Sequence, residues 1–308
     1  MEQHIPVLLN ESIEMLNVKP DGIYVDCTLG RGGHSSEILK KLTSGKLYSI
    51  DQDPTAIKEG TEKLSKISNN FEILEGNFLN ISALLSLKGV FAVDGILYDL
   101  GVSSPQFDVP ERGFSYRFDG PLDMRMDTVN NSLTAHTIVN EYSEEDLKKI
   151  FWNYGDEKFA PSIAKNIIAN RPINTTFELV DVIKMSLPQK VLKLPKHPAK
   201  KVFQALRIYV NNEIEVLKDS LRQGLSLLNP QGRISVITFH SLEEKIVKEI
   251  FKEVTISERD AVIASLPMEI ESDTEFKLVI RKPIKASKTE LENNRRSHSA
   301  KLWVIEKK

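Results

Sequence analysis

Residues 23–34 read Ile-Tyr-Val-Asp-Cys-Thr-Leu-Gly-Arg-Gly-Gly-His, and residues 47–54 read Leu-Tyr-Ser-Ile-Asp-Gln-Asp-Pro. An apolar strand, a glycine turn, a helical stretch and a second strand ending in a carboxylate follow in that order. This is the layout of a nucleoside-cofactor site: glycines let the backbone approach a ligand, and a carboxylate after the second strand accepts from ribose hydroxyls. The glycine spacing selects among cofactors. A dinucleotide fingerprint needs G-x-G-x-x-G to cradle a pyrophosphate, whereas Gly30, Gly32 and Gly33 are crowded together and follow Asp26. Asp-x-x-x-Gly-x-Gly is the arrangement expected around S-adenosylmethionine, so the stretch predicts a methyltransferase with Asp51 on the ribose.

Working outward, 308 residues suffice for a sizeable core and for a second domain or a large insertion. One cysteine, Cys27, excludes an internal disulfide and a cysteine-based zinc cluster, and its place in the first strand predicts a packed thiol. No apolar run has bilayer length and no basic-then-apolar leader opens the chain, so a cytoplasmic location without membrane contact is expected. The net charge is only −2, yet charge is unevenly spread. From Val182 to Asn212 there is no Asp or Glu, while Lys184, Lys190, Lys193, Lys196, Lys200, Lys201 and Arg207 are present. Residues 276–308 carry ten Lys or Arg against Glu290, Glu292 and Glu306. Two basic tracts on a near-neutral chain predict a local polyanion-binding face.

Apolar runs near 22–28, 46–51, 71–76 and 93–99 alternate with helical patterns beginning near His34 and at Pro54, the latter capped by Asp53. Alternation of this kind predicts a parallel, doubly wound sheet. From about 105 to 205 strands give way to helix starts, among them Ser143 with its following acidic residues and Thr176 before Phe177. A long helical pattern then runs from Phe203 through Leu221 to Asn229-Pro230. A strand at 233–239, a helix capped by Ser241 with Glu244, and an antiparallel edge pair at 276–280 and 300–305 complete the reading. The expected fold is therefore α/β, a mostly parallel sheet of about seven strands with a helical domain inserted after strand four. The expected parts are 1–104, the insertion 105–205, and 206–308.

Ligands of open parallel sheets sit beyond the carboxyl ends of the strands. The turn at Gly30–His34 offers amides for a methionine carboxylate, Asp51 takes the ribose, and Asn77 and Phe78 meet adenine. Asp99 ends strand four, and two strand-terminal aspartates are hard to explain by packing. Asp26 suits the turn amides instead. Asp119, Asp123 and Asp127 lack the frame of a calcium loop and read as turn and surface pairing with Arg117 and Arg125. Methyl transfer from a sulfonium needs no metal.

Several longer words carry a resemblance: His4-Ile-Pro-Val-Leu-Leu-Asn-Glu, Asp26-Cys-Thr-Leu-Gly-Arg-Gly-Gly-His, Asp99-Leu-Gly-Val-Ser-Ser-Pro-Gln, and the run from Arg112 to Asp127. His197-Pro-Ala-Lys, Phe203-Gln-Ala-Leu-Arg-Ile and Phe239-His-Ser-Leu-Glu extend it over essentially the whole chain. The sequence resembles the bacterial ribosomal RNA small subunit methyltransferase H family. Lys201 and Val202 stand where that family usually has Arg and Thr, and the tail before Leu302 also departs from its usual pattern.

The resemblance implies a class I methyltransferase fold with an inserted helical domain, S-adenosyl-L-methionine as cofactor, and cofactor contacts from Gly32, Gly33, His34, Asp51, Phe78, Asp99 and Gln106. It implies methylation of the exocyclic amine of a decoding-centre cytidine in 16S rRNA, with the small ribosomal subunit as partner and no DNA. A cytosine amine is a poor nucleophile because its lone pair is conjugated into the ring. A hydrogen-bond acceptor beside the methyl donor raises its nucleophilicity, and Asp99 is the candidate. The base-stacking aromatic would come from Phe107, Phe114, Tyr116 or Phe118. Phe114, Tyr116, Lys200, Lys201, Arg207 and His240 are the candidate substrate contacts. Competing readings are a methyltransferase for DNA or a small molecule, a nicotinamide oxidoreductase, and a noncatalytic RNA-binding relic.

Overall fold

Three strands open the sheet, the first two largely buried and the third half-buried, each followed by a helix. They are β1 (Ile23–Asp26), β2 (Lys46–Asp51) and β3 (Phe71–Glu75). Helix α1 (Leu9–Leu16) precedes them, and α2 (Gly33–Lys41), α3 (Pro54–Leu64) and α4 (Ile81–Ser86) follow them in turn. Asp53 caps α3 by accepting from the Thr55 amide at 2.9 Å, with Pro54 at the first helical position. Strand β4 (Val93–Asp99) then pairs on the other side of β1. This computed structural model describes residues 6–102, 104–256 and 273–308. His4 and Ile5 of the first shared word, and Ser103 of the third, lie outside the described residues.

Two compact units result, Met1–Gly101 with Ile214–Lys308, and Val102–Glu213. The second is helical: α5 (Ser104–Asp108), α6 (Ala135–Glu141), α7 (Glu144–Gly155), α8 (Ala160–Ala169), α9 (Thr176–Met185), α10 (Gln189–Leu192) and α11 (Lys200–Val210). Leu147, Phe151, Ile163, Ile167, Leu179 and Leu206 interlock as its core. Ser143 caps α7, accepting from the Asp146 amide. The cap of α9 is Thr175 in a reciprocal box with Glu178, one residue before the expected start. Thr176 is instead buried, and its hydroxyl donates to the Phe118 carbonyl at 2.7 Å. The span 105–205 lies inside this unit, which runs on to Glu213.

The long helix expected from 203 to 221 is two helices, because α11 ends at Val210 and α12 (Glu213–Leu227) starts afresh. Asn211 is drawn into the loop before α6, donating to the Met124 carbonyl at 2.8 Å and accepting from the Met126 amide at 2.7 Å. Asn212 takes a left-handed conformation that no helix continues through.

The sheet resumes with β5 (Leu228–Thr238), helix α13 (Ser241–Thr255), β6 (Phe276–Leu278), β7 (Ile284–Lys285), α14 (Lys288–Asn293) and β8 (Lys301–Lys307). Strand order is β3-β2-β1-β4-β5-β8-β6, with β7 also on β8. β1 to β5 are parallel, and β8 is antiparallel to β5, β6 and β7. Among the described residues the sheet thus has eight strands rather than about seven, the addition being the two-residue β7. β5 begins five residues before the expected 233, since Leu228 already pairs with Val93 before the register shifts. The chain reverses direction of travel between β1 and β4, so the crevice beyond their carboxyl ends is the ligand position of such a sheet.

Candidate active site

Beneath the glycine turn a buried polar cluster sets the backbone. Asp26 accepts from the Thr28 amide at 3.0 Å and the Ser35 hydroxyl at 2.7 Å, and Ser35 also meets Ser49 at 2.9 Å. Its carboxylate is fully enclosed and committed to the turn, as its position predicts. Gly30 has φ +49, and its amide donates to Asp51 Oδ2 at 2.9 Å. Asp51 Oδ1 accepts from the Asp53 amide at 3.0 Å. Burial pushes the Asp51 carboxyl up to about 6 against these amide bonds, which favour its ionised form.

The first shared word packs on the same turn. A Cβ on Gly33 would lie 2.3 Å from Pro6 Cγ, so glycine is required for this close approach. His34 Nε2 lies 3.1 Å from the Val7 carbonyl, which only accepts, so Nε2 carries the proton. Leu8 follows with φ 51, and its amide donates to Glu290 Oε1 at 2.8 Å. The C-terminal segment therefore clasps the N-terminal strap. Spacing gave no sign of Pro6, Val7 and Glu290, because contacts this distant in sequence leave no periodic signal.

Asp99 stands where β4 delivers it. Its amide donates to Thr28 Oγ1 at 2.8 Å, tying the ends of β1 and β4 together. Asp99 Oδ2 lies 3.6 Å from His34 Nδ1. With Nε2 protonated, a neutral His34 turns a lone pair toward the carboxyl, so a close pair requires a proton between them. Asp99 Oδ1 is buried with no hydrogen-bond partner among the described residues, although the side chain keeps 25% of its surface. Loss of solvent pushes this carboxyl up to about 6. His34 opposes the shift, and Asp26 and Glu243 add to it. A partly open carboxyl with one orphaned oxygen is poised to take a donor from a ligand.

On the adenine side, Phe78 is half-buried and packs edge-on against Tyr98, with centroids 5.8 Å apart. Asn77 caps the short turn that starts at Phe78 and donates to Gln52 Oε1 at 3.1 Å. At the other end, α2 has no side-chain cap at Gly32, leaving first-turn amides for an anionic group. Orphaned Asp99 Oδ1, the uncapped helix start and the two-amide hold on Asp51 fit an adenosyl cofactor with a charged amino-acid tail. Gly32, Gly33, His34, Asp51, Phe78 and Asp99 share this unit.

The helical unit sorts its candidates differently. Gln106 is buried, and Phe114 is buried in the helical core with Arg112 over its ring. Tyr116 stacks on His197. Lys200 is exposed, and Lys201 Nζ donates to the Asp156 carbonyl. Arg207 grips Glu213 through two bonds of 2.7 and 2.8 Å, both side chains being largely covered. Asp123 pairs with Arg125, Asp127 accepts from the Val129 and Asn130 amides, and Asp119 accepts from the Phe177 amide. These carboxylates serve separate turns.

His240, not Ser241, is the cap of α13. Its Nδ1 accepts from the Glu243 amide, and Glu243 Oε2 accepts back from the Phe239 amide at 2.6 Å. The expected box is displaced by one residue because β5 ends at Thr238 and His240 stays extended ahead of the helix.

No helix among the described residues is long and apolar enough to cross a membrane. Residues 1–308 match the MraW methylase family. Ribosomal RNA small subunit methyltransferase H of Mesoplasma florum is 74% identical over 308 residues, covering all of both chains. The protein of that name from Mycoplasma capricolum subsp. capricolum is 65% identical, again over the full length of both. Among solved structures, an rRNA methylase from Streptococcus thermophilus aligns over 100% of this chain and 98% of its own at 11% identity, with a TM-score of 0.44.

Proposed function

The chain belongs to the MraW methylase family, and from that premise we propose that it methylates the exocyclic N4 amine of a decoding-centre cytidine in 16S rRNA, using S-adenosyl-L-methionine. The observation that carries this reading is Asp99, a carboxyl at a strand end with one buried oxygen lacking a partner. Full-length relatives named as small-subunit rRNA methyltransferases support the choice of RNA.

The α2 start at Gly32, Gly33 and His34 would hold the carboxylate of the donor's amino-acid tail, Asp51 would accept from its ribose, and Phe78 would flank its adenine. The cofactor supplies an electrophilic sulfonium methyl when bound. Asp99 would accept a hydrogen bond from the cytosine amine and turn its lone pair toward the methyl. As the N–C bond forms the methyl–sulfur bond breaks, S-adenosylhomocysteine leaves, and the proton shed by the amine passes by way of Asp99 to solvent. His34 positions Asp99, its own orientation fixed by the Val7 carbonyl. Gln106 would complete the cofactor contacts, and the helical unit, with Tyr116, Lys200 and Lys201 as substrate contacts, binds the 16S rRNA of the small ribosomal subunit in the cytoplasm.

Small subunits from cells lacking this chain, naked 16S rRNA and DNA are each incubated with the enzyme and labelled donor, followed by mass mapping. One methyl on a decoding-centre cytidine base is expected. Label confined to DNA, or absent from all three, overturns the proposal.

A further inference from the structure

The helical unit presents two flat rings in parallel contact at its surface. Tyr116 and His197 have centroids 4.2 Å apart and planes 11° apart, and both are half-buried. Buried Phe203 meets Tyr116 edge-on at 5.7 Å, so the stack is braced from within. His197 Nδ1 accepts from the Ala199 amide at 3.3 Å, which places the proton of the neutral ring on Nε2. Burial, followed by the nearby charges of Lys184 and Arg117, pushes the imidazole below its ordinary value and keeps it neutral.

Of the two cations near this ring, Lys184 sits in an exposed pair with Asp181 at 3.2 Å, a weak surface contact that a phosphate can displace. Lys184 and Arg117 are both exposed, as are Lys190, Lys193, Lys196 and Lys200 along a stretch without acidic residues. Two further aromatics stand open in the same unit, Phe118, which follows Arg117 in the chain, at 46% and Phe177 at 44% exposure. Their backbones are anchored by the Thr176–Phe118 and Phe177–Asp119 bonds. Open rings interleaved with unburied cations form the recognition surface for single-stranded nucleic acid, where bases stack and phosphates pair.

We propose that the Tyr116–His197 stack is a platform for an unpaired base of the substrate RNA, with Arg117 and Lys184 taking the adjacent phosphates. The inference rests on the RNA substrate proposed above and adds a binding site made of His197, Arg117 and Lys184. Tyr116 and His197 act here on RNA binding and not on the methyl-transfer chemistry.

The test uses the full chain and small ribosomal subunits from cells lacking it. Ultraviolet crosslinking followed by peptide mass mapping is expected to join rRNA to peptides containing Tyr116 or His197. Crosslinks confined to other peptides overturn the platform. In steady-state methylation, Tyr116→Leu and His197→Leu are expected to raise KM for subunits about 5- to 150-fold. Tyr116→Phe, which keeps the ring, stays within about twofold of wild type. Denaturant unfolding of the helical unit, followed by far-ultraviolet circular dichroism, reports that the variants fold. Unchanged KM in both leucine variants sinks the inference while leaving the methylation reading intact. Absence of methylation by wild type with crosslinks still at Tyr116 or His197 does the reverse.

Discussion

In the sheet unit, Asp26, Asp51 and Asp99 are drawn out of bulk water and held by backbone amides, hydroxyls and one histidine. In the helical unit, lysines and aromatic rings stand in water, and Arg207, a cation largely hidden from it, is already paired. The first arrangement suits chemistry, because desolvated acceptors act strongly on a small ligand. The second suits adhesion to a long polyanion, because exposed cations exchange counterions for phosphates at little cost in fold stability. Candidate residues in the two regions therefore fail in different ways when changed.

The largest effect is expected at Asp99. Asp99→Asn should slow single-turnover methylation by about 10²- to 10⁴-fold while leaving subunit binding near wild type. A loss of less than tenfold removes Asp99 from the chemistry and blurs the contrast between the regions. Phe151→Ala empties a fully buried site in the helical core and should cost about 3–5 kcal/mol in denaturant unfolding of that unit. Affinity for S-adenosylhomocysteine should hold. A parallel collapse of that affinity breaks the division of labour.

Asp51→Asn should weaken S-adenosylhomocysteine binding about 10- to 100-fold by calorimetry, since a charged acceptor for two hydroxyls is lost. The pH dependence carries a sign. A carboxyl whose folded value is raised to about 6 favours the folded state while protonated, and that stability is lost as pH rises from about 4 to 6. Ligand acceptance needs the ionised form, so affinity for the nucleoside falls by about tenfold per unit below pH 6. Wild type compared with Asp51→Asn should thus show melting temperature and ligand affinity moving in opposite directions over this window. Parallel trends refute the assignment of burial as the cause.

The smallest effects separate kinds of cation. Lys200→Ala should reduce the salt slope of subunit binding by about one, with little change in stability. Arg207→Ala should leave that slope alone and cost about 1–3 kcal/mol of stability, because Glu213 loses its partner. Equal slopes for the two variants place Arg207 on the RNA after all.

Much of the sheet unit was legible from local patterns. β2 and β4 fall at their expected limits, and Asp53 caps α3, because buried strands and caps write their signals into neighbouring residues. Helix starts slipped by one residue at Thr175 and His240: Thr175 and Thr176 offer equal capping groups, while at His240 the path of the chain overrides the better intrinsic cap, Ser241. The break at Asn211–Asn212 was masked by an apolar period that continues across it. Among the aromatics proposed for substrate, sequence spacing treated Phe114 and Tyr116 alike. Packing buries the first and leaves the second half-open on His197.

By itself the sequence determined the α/β alternation, the glycine turn, the carboxylates at the ends of β2 and β4, and the uneven spread of charge. These depend on periodicity and on neighbours a few residues apart. Tertiary structure alone decided that Pro6 closes on Gly33, that Glu290 clasps Leu8, that His34 faces Asp99, and that Arg207 is spent on Glu213. Such choices depend on which side chains share a desolvated space, and partners hundreds of residues apart leave no trace in any local pattern.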